Sequence, residues 1–234
     1  MRMVVKMPEV SVVIPTLNEA KSINNCITTI FGVFATRHIV GEVILSDNSS
    51  DRTPDIAISL GARVVTPPRL GYGHALLYGL NHAQGKYILL GDVDRSYDFS
   101  IIPELIQPLR DNKADLVIGS RLKGDIHKGA MPFIHRYIGN PLITWTLNKK
   151  LGTHITDAHS GIRAFTKEMW DLIDTTLIPD DFCSEMLKQF VEHHARIVEI
   201  PISYYQREGK PKVGTILHGY RCFKFLLNHV VLDK

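Results

Sequence analysis

The chain has 234 residues, 44% of them hydrophobic and 22% charged, with a net charge of +3. These are ordinary values for a globular protein, sufficient for one α/β domain with a short extension, and too weakly basic to argue for a nucleic-acid partner. The three cysteines, Cys26, Cys183 and Cys222, are too far apart for a metal or disulfide framework, so free thiols in a reducing cytosol are expected.

Apolar runs alternate with helical periodicity through the first half, the pattern of βαβ units that build a parallel sheet. Residues 10–15 (VSVVIP) read as a first strand. Thr16 and Glu19 match a Thr-x-x-Glu capping box, which predicts a helix over about 19–34. A second strand follows at 42–46. Thr53-Pro54 then opens a helix, with proline in the first turn where its missing N–H costs nothing. A short strand at 62–65, a helix over 73–84 and a strand at Tyr87 come next. A helix at about 99–110 and a fifth strand at 115–119 complete this half. Basic residues gather after Arg121, and 123–135, with Gly124, Gly129 and Pro132, reads as a loop. Helices are expected over 140–151 and 182–193, a late strand over 197–205, and an amphipathic helix over 213–231. Residues 1–7 carry two basic residues with no apolar segment behind them, so no secretory leader is expected. No run of about 18 apolar residues is available to span a bilayer.

The chemistry concentrates at strand ends. Ligands of open α/β sheets bind outside the carboxyl ends of the strands. There the chain places Pro15-Thr16-Leu17-Asn18-Glu19, then Ser46-Asp47-Asn48-Ser49-Ser50-Asp51, then Asp92-Val93-Asp94. Asp92 and Asp94 share a face if strand geometry persists. Two carboxylates in one crevice repel each other unless a cation lies between them, and hard oxygen ligands suit Mg²⁺ or Mn²⁺ beside a diphosphate. Taken singly, Glu19 could only cap its helix, Asp47 only close an Asx turn, and the Gly-Asp pair only mark a surface turn. Their succession, each after a strand, favours a nucleotide site.

With these motifs the chain resembles the GT-A nucleotide-sugar glycosyltransferases, in the large inverting family that includes dolichyl-phosphate mannose synthase. The resemblance rests on VSVVIPTLNE, SDNSSDRT, the Gly71-Tyr72-Gly73-His74-Ala75 loop, GDVD, and Ile118-Gly119-Ser120-Arg121. It continues through the segment from Asp157 to Phe165, with Ser160-Gly161-Ile162-Arg163, and through Tyr204-Tyr205-Gln206-Arg207-Glu208-Gly209. The later motifs are similar to those of polyprenyl-phosphate sugar synthases in particular.

The resemblance implies a GT-A, Rossmann-like, mostly parallel sheet flanked by helices, with a C-terminal amphipathic helix. Residues 1–212 would form the transferase domain, with a nucleotide-sugar half at about 10–121 and an acceptor half at 122–212. Residues 213–234 would face a membrane. Pro15, Thr16, Glu19 and Asp47 would surround the base and ribose. Asp92 would hold the ribose or diphosphate side, and Asp94 would be the direct ligand of Mg²⁺ or Mn²⁺.

The acceptor would be a polyprenyl or dolichyl phosphate met by Arg121, Arg136, Arg207 and Lys212, with Ser96, Ser160, Arg163 and Glu185 as further candidate site residues. Arg163, inside an apolar stretch, could equally be a structural ion-pair partner. Glu185 would serve as a base only if the acceptor were a hydroxyl. Mannose synthases carry Gln where Ser96 stands, which favours UDP-glucose or UDP-N-acetylglucosamine over GDP-mannose. A peripheral position on the cytoplasmic face of a membrane, with a membrane subunit as a candidate partner, would follow.

The apolar positions Ile216, Tyr220, Phe223, Leu227 and Val230 fit an interfacial helix and a core-facing stripe equally well. For Leu142, Ile143 and Trp145 beside Lys149 and Lys150, core packing is the stronger expectation. A hydroxyl-directed glycan transferase and a sugar-nucleotide-binding module without turnover are the competing readings.

Overall fold

The computed structural model describes residues 7–176 and 181–209. A seven-stranded sheet forms its centre, in the order β3-β2-β1-β4-β6-β5-β7. The strands are β1 Val10–Thr16, β2 Gly41–Asp47, β3 Arg63–Val65, β4 Tyr87–Leu90, β5 Leu116–Ser120, β6 Arg163–Thr166 and β7 Ile197–Pro201. β1, β2, β3 and β4 pair in parallel. β6 runs antiparallel to both β4 and β5, and β7 returns parallel to β5. The sheet is therefore mostly parallel and Rossmann-like.

The helices are α1 Ile23–Thr36, α2 Thr53–Ser59, α3 Tyr72–Leu80, α4 Ile102–Arg110, α5 Asn140–Leu151, α6 Lys167–Trp170 and α7 Phe182–Glu192. A 3₁₀ turn, Phe99–Ile101, leads into α4, and a π-helical turn, His135–Gly139, leads into α5. β1 shows how both sheet faces are covered. Val10, Val12 and Ile14 join one apolar layer, with α1 and α4, while Val13 joins the other, with α3 and α7. Continuous apolar strands are expected for a sheet buried on both faces.

Several expectations change. The Thr16–Glu19 capping box does not form. Thr16 ends β1 and donates its hydroxyl to Asp47 at 2.6 Å, while α1 begins only at Ile23, after Ser22. The helix expected over 73–84 stops at Leu80, and the strand expected over 197–205 stops at Pro201. β6 and α6 were not expected as elements. β6 separates β5 from β4, so the halves 10–121 and 122–212 share one interleaved sheet.

α5 was expected to bury its apolar residues. It buries Thr144 and Leu147 but exposes Leu142 and Trp145, with Ile143 partly buried. A helix lying on a domain surface has only one stripe to bury. Cys26 and Cys183 are free thiols, whereas Cys222, Lys212 and the helix expected over 213–231 lie outside the described residues.

Candidate active site

The chain leaves β1 for β2 and β3 on one side, then returns to place β4 on the other side of β1. This reversal is a topological switch point, where the βα turns diverge and open a crevice. Thr16 is in register with Asp47, and Val13 with Leu90, so the three motif-bearing strand ends reach the same edge.

On the β2 side, Asp47 is buried and accepts from the Thr16 hydroxyl at 2.6 Å, the Ser49 amide at 3.1 Å and the Ser49 hydroxyl at 2.5 Å. The Asx turn is thus real, and it fixes the carboxylate against β1. Asn18, in the left-handed region at φ 55°, accepts from the Ser50 amide at 2.9 Å. Its own amide donates to Ser49 at 2.7 Å, which clasps the first two motif loops together. Glu19 accepts from the Ser22 hydroxyl at 3.2 Å, and Pro15 lies in β1.

On the β4 side, Asp92 accepts from the Tyr72 hydroxyl at 3.2 Å. Burial, followed by the charge of Asp94, pushes the Asp92 carboxyl up to about 6, while Arg207, Tyr72 and Arg121 oppose the shift. Asp94 accepts from the Ser96 amide at 3.0 Å and the Ser96 hydroxyl at 2.5 Å, and its other oxygen lies 3.1 Å from Arg207. Ser96 thus fixes the Asp94 rotamer.

Gly161 closes this side. A Cβ there would stand 2.8 Å from Asp92 Oδ2 and 3.2 Å from the Tyr97 hydroxyl. The Gly161 amide donates to that hydroxyl at 2.8 Å. The close backbone approach was invisible from sequence, although the Ser-Gly-Ile-Arg motif marked the segment.

The donor set fits a divalent cation in the way Mg²⁺ is commonly held, by one or two carboxylates with substrate phosphates and water filling the remaining positions. Among the described residues no group of three or more His, Cys, Asp or Glu could form an all-protein cage. Asp92 and Asp94 are the hard oxygen donors available, and their mutual repulsion is what a cation would relieve.

The segment after β7 crosses the Asp94 loop. The Tyr205 amide donates to the Ser96 carbonyl at 3.0 Å and the Glu208 amide to the Asp94 carbonyl at 2.8 Å. Arg95 pairs with Glu208 at 2.6 Å. Arg207 is thereby delivered to the carboxylate pair from more than 100 residues away in sequence.

Arg121 is paired differently. Its Nε and Nη2 donate to Asp157 at 2.7 Å each, its amide donates to the same carboxylate at 3.0 Å, and its guanidinium sits 5.2 Å from the Tyr204 ring centre. The edge not engaged by Asp157 is Nη1.

Arg163 is almost fully buried and forms no ion pair with a carboxylate among the described residues. It donates to the carbonyls of Ser160, Cys183 and Ala158, clamping the loop before β6 to the start of α7. Ser160 is buried, and its hydroxyl has no hydrogen-bond partner among the described residues. Glu185 is buried in α7 and accepts from Gln189 at 3.1 Å. Arg136 lies in the π-helical turn, 5.3 Å from the Tyr137 ring centre.

Comparison with known proteins agrees with this geometry. Residues 11–173 match the family model described as Glycosyl transferase family 2. Over 220 residues the chain is 41% identical to the low-salt glycan biosynthesis hexosyltransferase Agl6 of Haloferax volcanii, covering 94% of this chain and 53% of that protein. The chain thus spans about half the length of that relative. It is also 30% identical to a dolichyl-phosphate hexose transferase of the same organism, covering 90% of this chain and 89% of the relative. Among solved structures, glucosyl-3-phosphoglycerate synthase from Mycobacterium tuberculosis, in complex with Mn²⁺, uridine-diphosphate-glucose and phosphoglyceric acid, superposes with a TM-score of 0.76. That match has 22% identity and covers 97% of this chain and 81% of the synthase, and it shows the shared GT-A fold.

Proposed function

The chain belongs to glycosyltransferase family 2, and on that footing we propose that it moves a sugar from a nucleotide-sugar donor to a polyprenyl phosphate, inverting the anomeric carbon. The observation that carries this reading is the Asp92–Asp94 pair at the switch point with Arg207 laid against Asp94. The carboxylate pair is suited to a cation and diphosphate, and the Arg207 guanidinium lies directly against Asp94 at 3.1 Å. The dolichyl-phosphate hexose transferase among the relatives supports the acceptor class. UDP-glucose or UDP-N-acetylglucosamine is the favoured donor on the strength of Ser96, supported by the UDP-glucose held by the mycobacterial synthase. GDP-mannose is the competing donor.

In this reading Asp47, fixed by Thr16 and Ser49, receives the base and ribose with Pro15 and Glu19 beside it. Asp92 and Asp94 hold Mg²⁺ or Mn²⁺, which when bound neutralises the leaving diphosphate. Arg207, with Arg136 and Lys212, orients the acceptor phosphate, and Arg121 contributes through its Nη1 edge. A lipid phosphate has a second pKa of about 6 and is largely dianionic at neutral pH, so it attacks without a general base. One phosphate oxygen bonds to sugar C1 as the bond from C1 to the diphosphate oxygen breaks, and the electron pair leaves with the nucleoside diphosphate. The enclosure of Glu185 beside Gln189 supports a mechanism that does not draw on it as a base.

The test is incubation with radiolabelled nucleotide sugars, Mn²⁺ and polyprenyl phosphate, followed by solvent extraction. Label in the organic phase is expected. Label confined to water-soluble glycan would replace this reading with hydroxyl transfer, and no transfer at all would leave a binding module.

A further inference from the structure

Six large apolar side chains stand in solvent along one stretch of chain: Phe133 at 70% exposure, Ile134 at 65%, Tyr137 at 56%, Ile138 at 55%, Leu142 at 59% and Trp145 at 58%. They recur every three to four residues from the π-helical turn into α5. A contiguous apolar patch on a protein surface marks an interaction site. The charge pattern says which kind. Residues 126–156 contain no Asp or Glu, while Lys128, Arg136, Lys149 and Lys150 lie among them.

The basic groups sit at the aromatic rims. Lys149 Nζ is 5.9 Å from the Trp145 ring centre, Arg136 is 5.3 Å from that of Tyr137, and the Phe133 and Tyr137 rings are 4.6 Å apart. Aromatics with amphipathic edges, aliphatics between them and lysines flanking the row are what a lipid interface selects. No helix among the described residues is long and apolar enough to cross a membrane.

We propose that the face formed by residues 133–145, flanked by Lys149 and Lys150, docks on the surface of an anionic lipid bilayer. This deepens the reading of a lipid-phosphate acceptor and rests on it for its purpose, though not for its evidence. The face also connects to the crevice. Its leading loop pairs with the segment that carries Arg207, the His127 amide donating to the Tyr204 carbonyl at 3.0 Å and the His127 ring stacking on Tyr205 at 4.3 Å. Docking here therefore sets the membrane beside the segment that would meet an acceptor headgroup. Binding is in the plane of the interface, driven by apolar burial together with attraction of the basic rim to anionic headgroups.

The experiment uses the full chain with vesicles of phosphatidylcholine, alone or mixed with phosphatidylglycerol. Co-sedimentation with the mixed vesicles and a blue shift of tryptophan emission are expected. Trp170, only 3% exposed, is a silent internal control, so Trp145→Phe should abolish the shift. Phe133→Ser/Ile138→Ser, both at exposed positions, should abolish sedimentation. Lys149→Ala/Lys150→Ala should weaken it about thirtyfold, the factor that two basic residues at an anionic surface contribute. The serine and lysine variants should keep wild-type transfer to a detergent-solubilised polyprenyl phosphate, while on vesicles the serine pair should lose transfer and the lysine pair should show it reduced.

Wild-type sedimentation by the serine variant would overturn the proposal. So would a Trp145 already shielded from acrylamide in lipid-free protein, independent of concentration if the chain covers its own face and dependent on it if a second copy does. Vesicle binding as predicted, with no transfer to any lipid phosphate, would refute the acceptor reading and leave the docking face standing.

Discussion

Replacing Asp157 with Leu should destabilise the protein severely, because it removes the partner of a buried charge. Asp157 is fully buried, the Arg121 side chain is only 10% exposed, and the two share three hydrogen bonds of 2.7–3.0 Å. Breaking one side of a buried pair costs about 3–5 kcal/mol, since the remaining charge has no water to return to. For a chain of this size that corresponds to a fall in Tm of roughly 6–20 °C. Arg121→Met combined with Asp157→Leu removes the stranded charge and should lie within about 1 kcal/mol of the wild type.

Urea unfolding of the wild type, both single variants and the double variant gives the coupling energy. The pH dependence has a fixed sign. Burial opposes ionisation of Asp157, but its hydrogen bonds and charge contact with Arg121 hold its pKa below the ordinary carboxyl value. Its contribution is therefore present above the unfolded-state pKa of about 3.9 and is lost as pH falls through the still lower folded value. The deficit of Asp157→Leu should stay level from pH 5 to 8, a range that lies wholly above the unfolded-state pKa, and shrink only in strong acid. A loss under about 1 kcal/mol for the single variant, or a double variant as unstable as the single, would refute this account of the pair.

Other expectations concern the crevice. Asp94→Asn should abolish measurable Mn²⁺ binding by calorimetry in the presence of the nucleoside diphosphate, and cut transfer by more than about tenfold, equivalent to roughly 1.4 kcal/mol; unchanged Mn²⁺ affinity would move the metal elsewhere. Because a cation binds the ionised carboxylate and Asp92 is pushed up to about 6, Mn²⁺ affinity should plateau above that pH and fall by at most about tenfold per unit below it; a flat profile from pH 5 to 8 would separate Asp92 from the metal. Gly161→Ala pushes a methyl group to 2.8 Å from Asp92 Oδ2, so Mn²⁺ affinity should drop while urea stability changes little, the displaced atom being a side-chain end. Glu185→Gln should retain most activity if it remains folded, whereas loss of a general base would cost about 10²–10⁴-fold.

The parts of this architecture legible in the sequence are those whose cause is local. Val-Ser-Val-Val-Ile-Pro, Tyr-Ile-Leu-Leu and Leu-Val-Ile-Gly are short apolar runs that read as buried strands, and Thr53-Pro54 marks a helix start by its own backbone chemistry. What stayed hidden depends on partners far along the chain. β6 is four residues beginning with an arginine, and Arg163 becomes acceptable inside only because three carbonyls from 158, 160 and 183 converge on it. Thr16 satisfies a local capping pattern, yet parallel pairing with β2 sets it against Asp47 instead. The Asp92–Asp94 pair could be read at a strand end, but the Arg207 contact to Asp94 and the Asp157 hold on Arg121 are products of topology.

The insertion of β6 has a consequence for how the protein is made. Both hydrogen-bonding neighbours of β5, namely β6 and β7, are synthesised after it. When Ser120 has left the ribosome, Leu116, Val117 and Ile118 have no strand to pair with until Arg163–Thr166 follows. At bacterial and eukaryotic translation speeds of about 5–20 residues per second, that wait lasts roughly 2–9 s. Through those seconds the nascent chain presents an apolar segment with free backbone donors and acceptors, the kind of edge that seeds misassociation. Slowing translation between residues 120 and 166 should therefore lower the yield of folded protein.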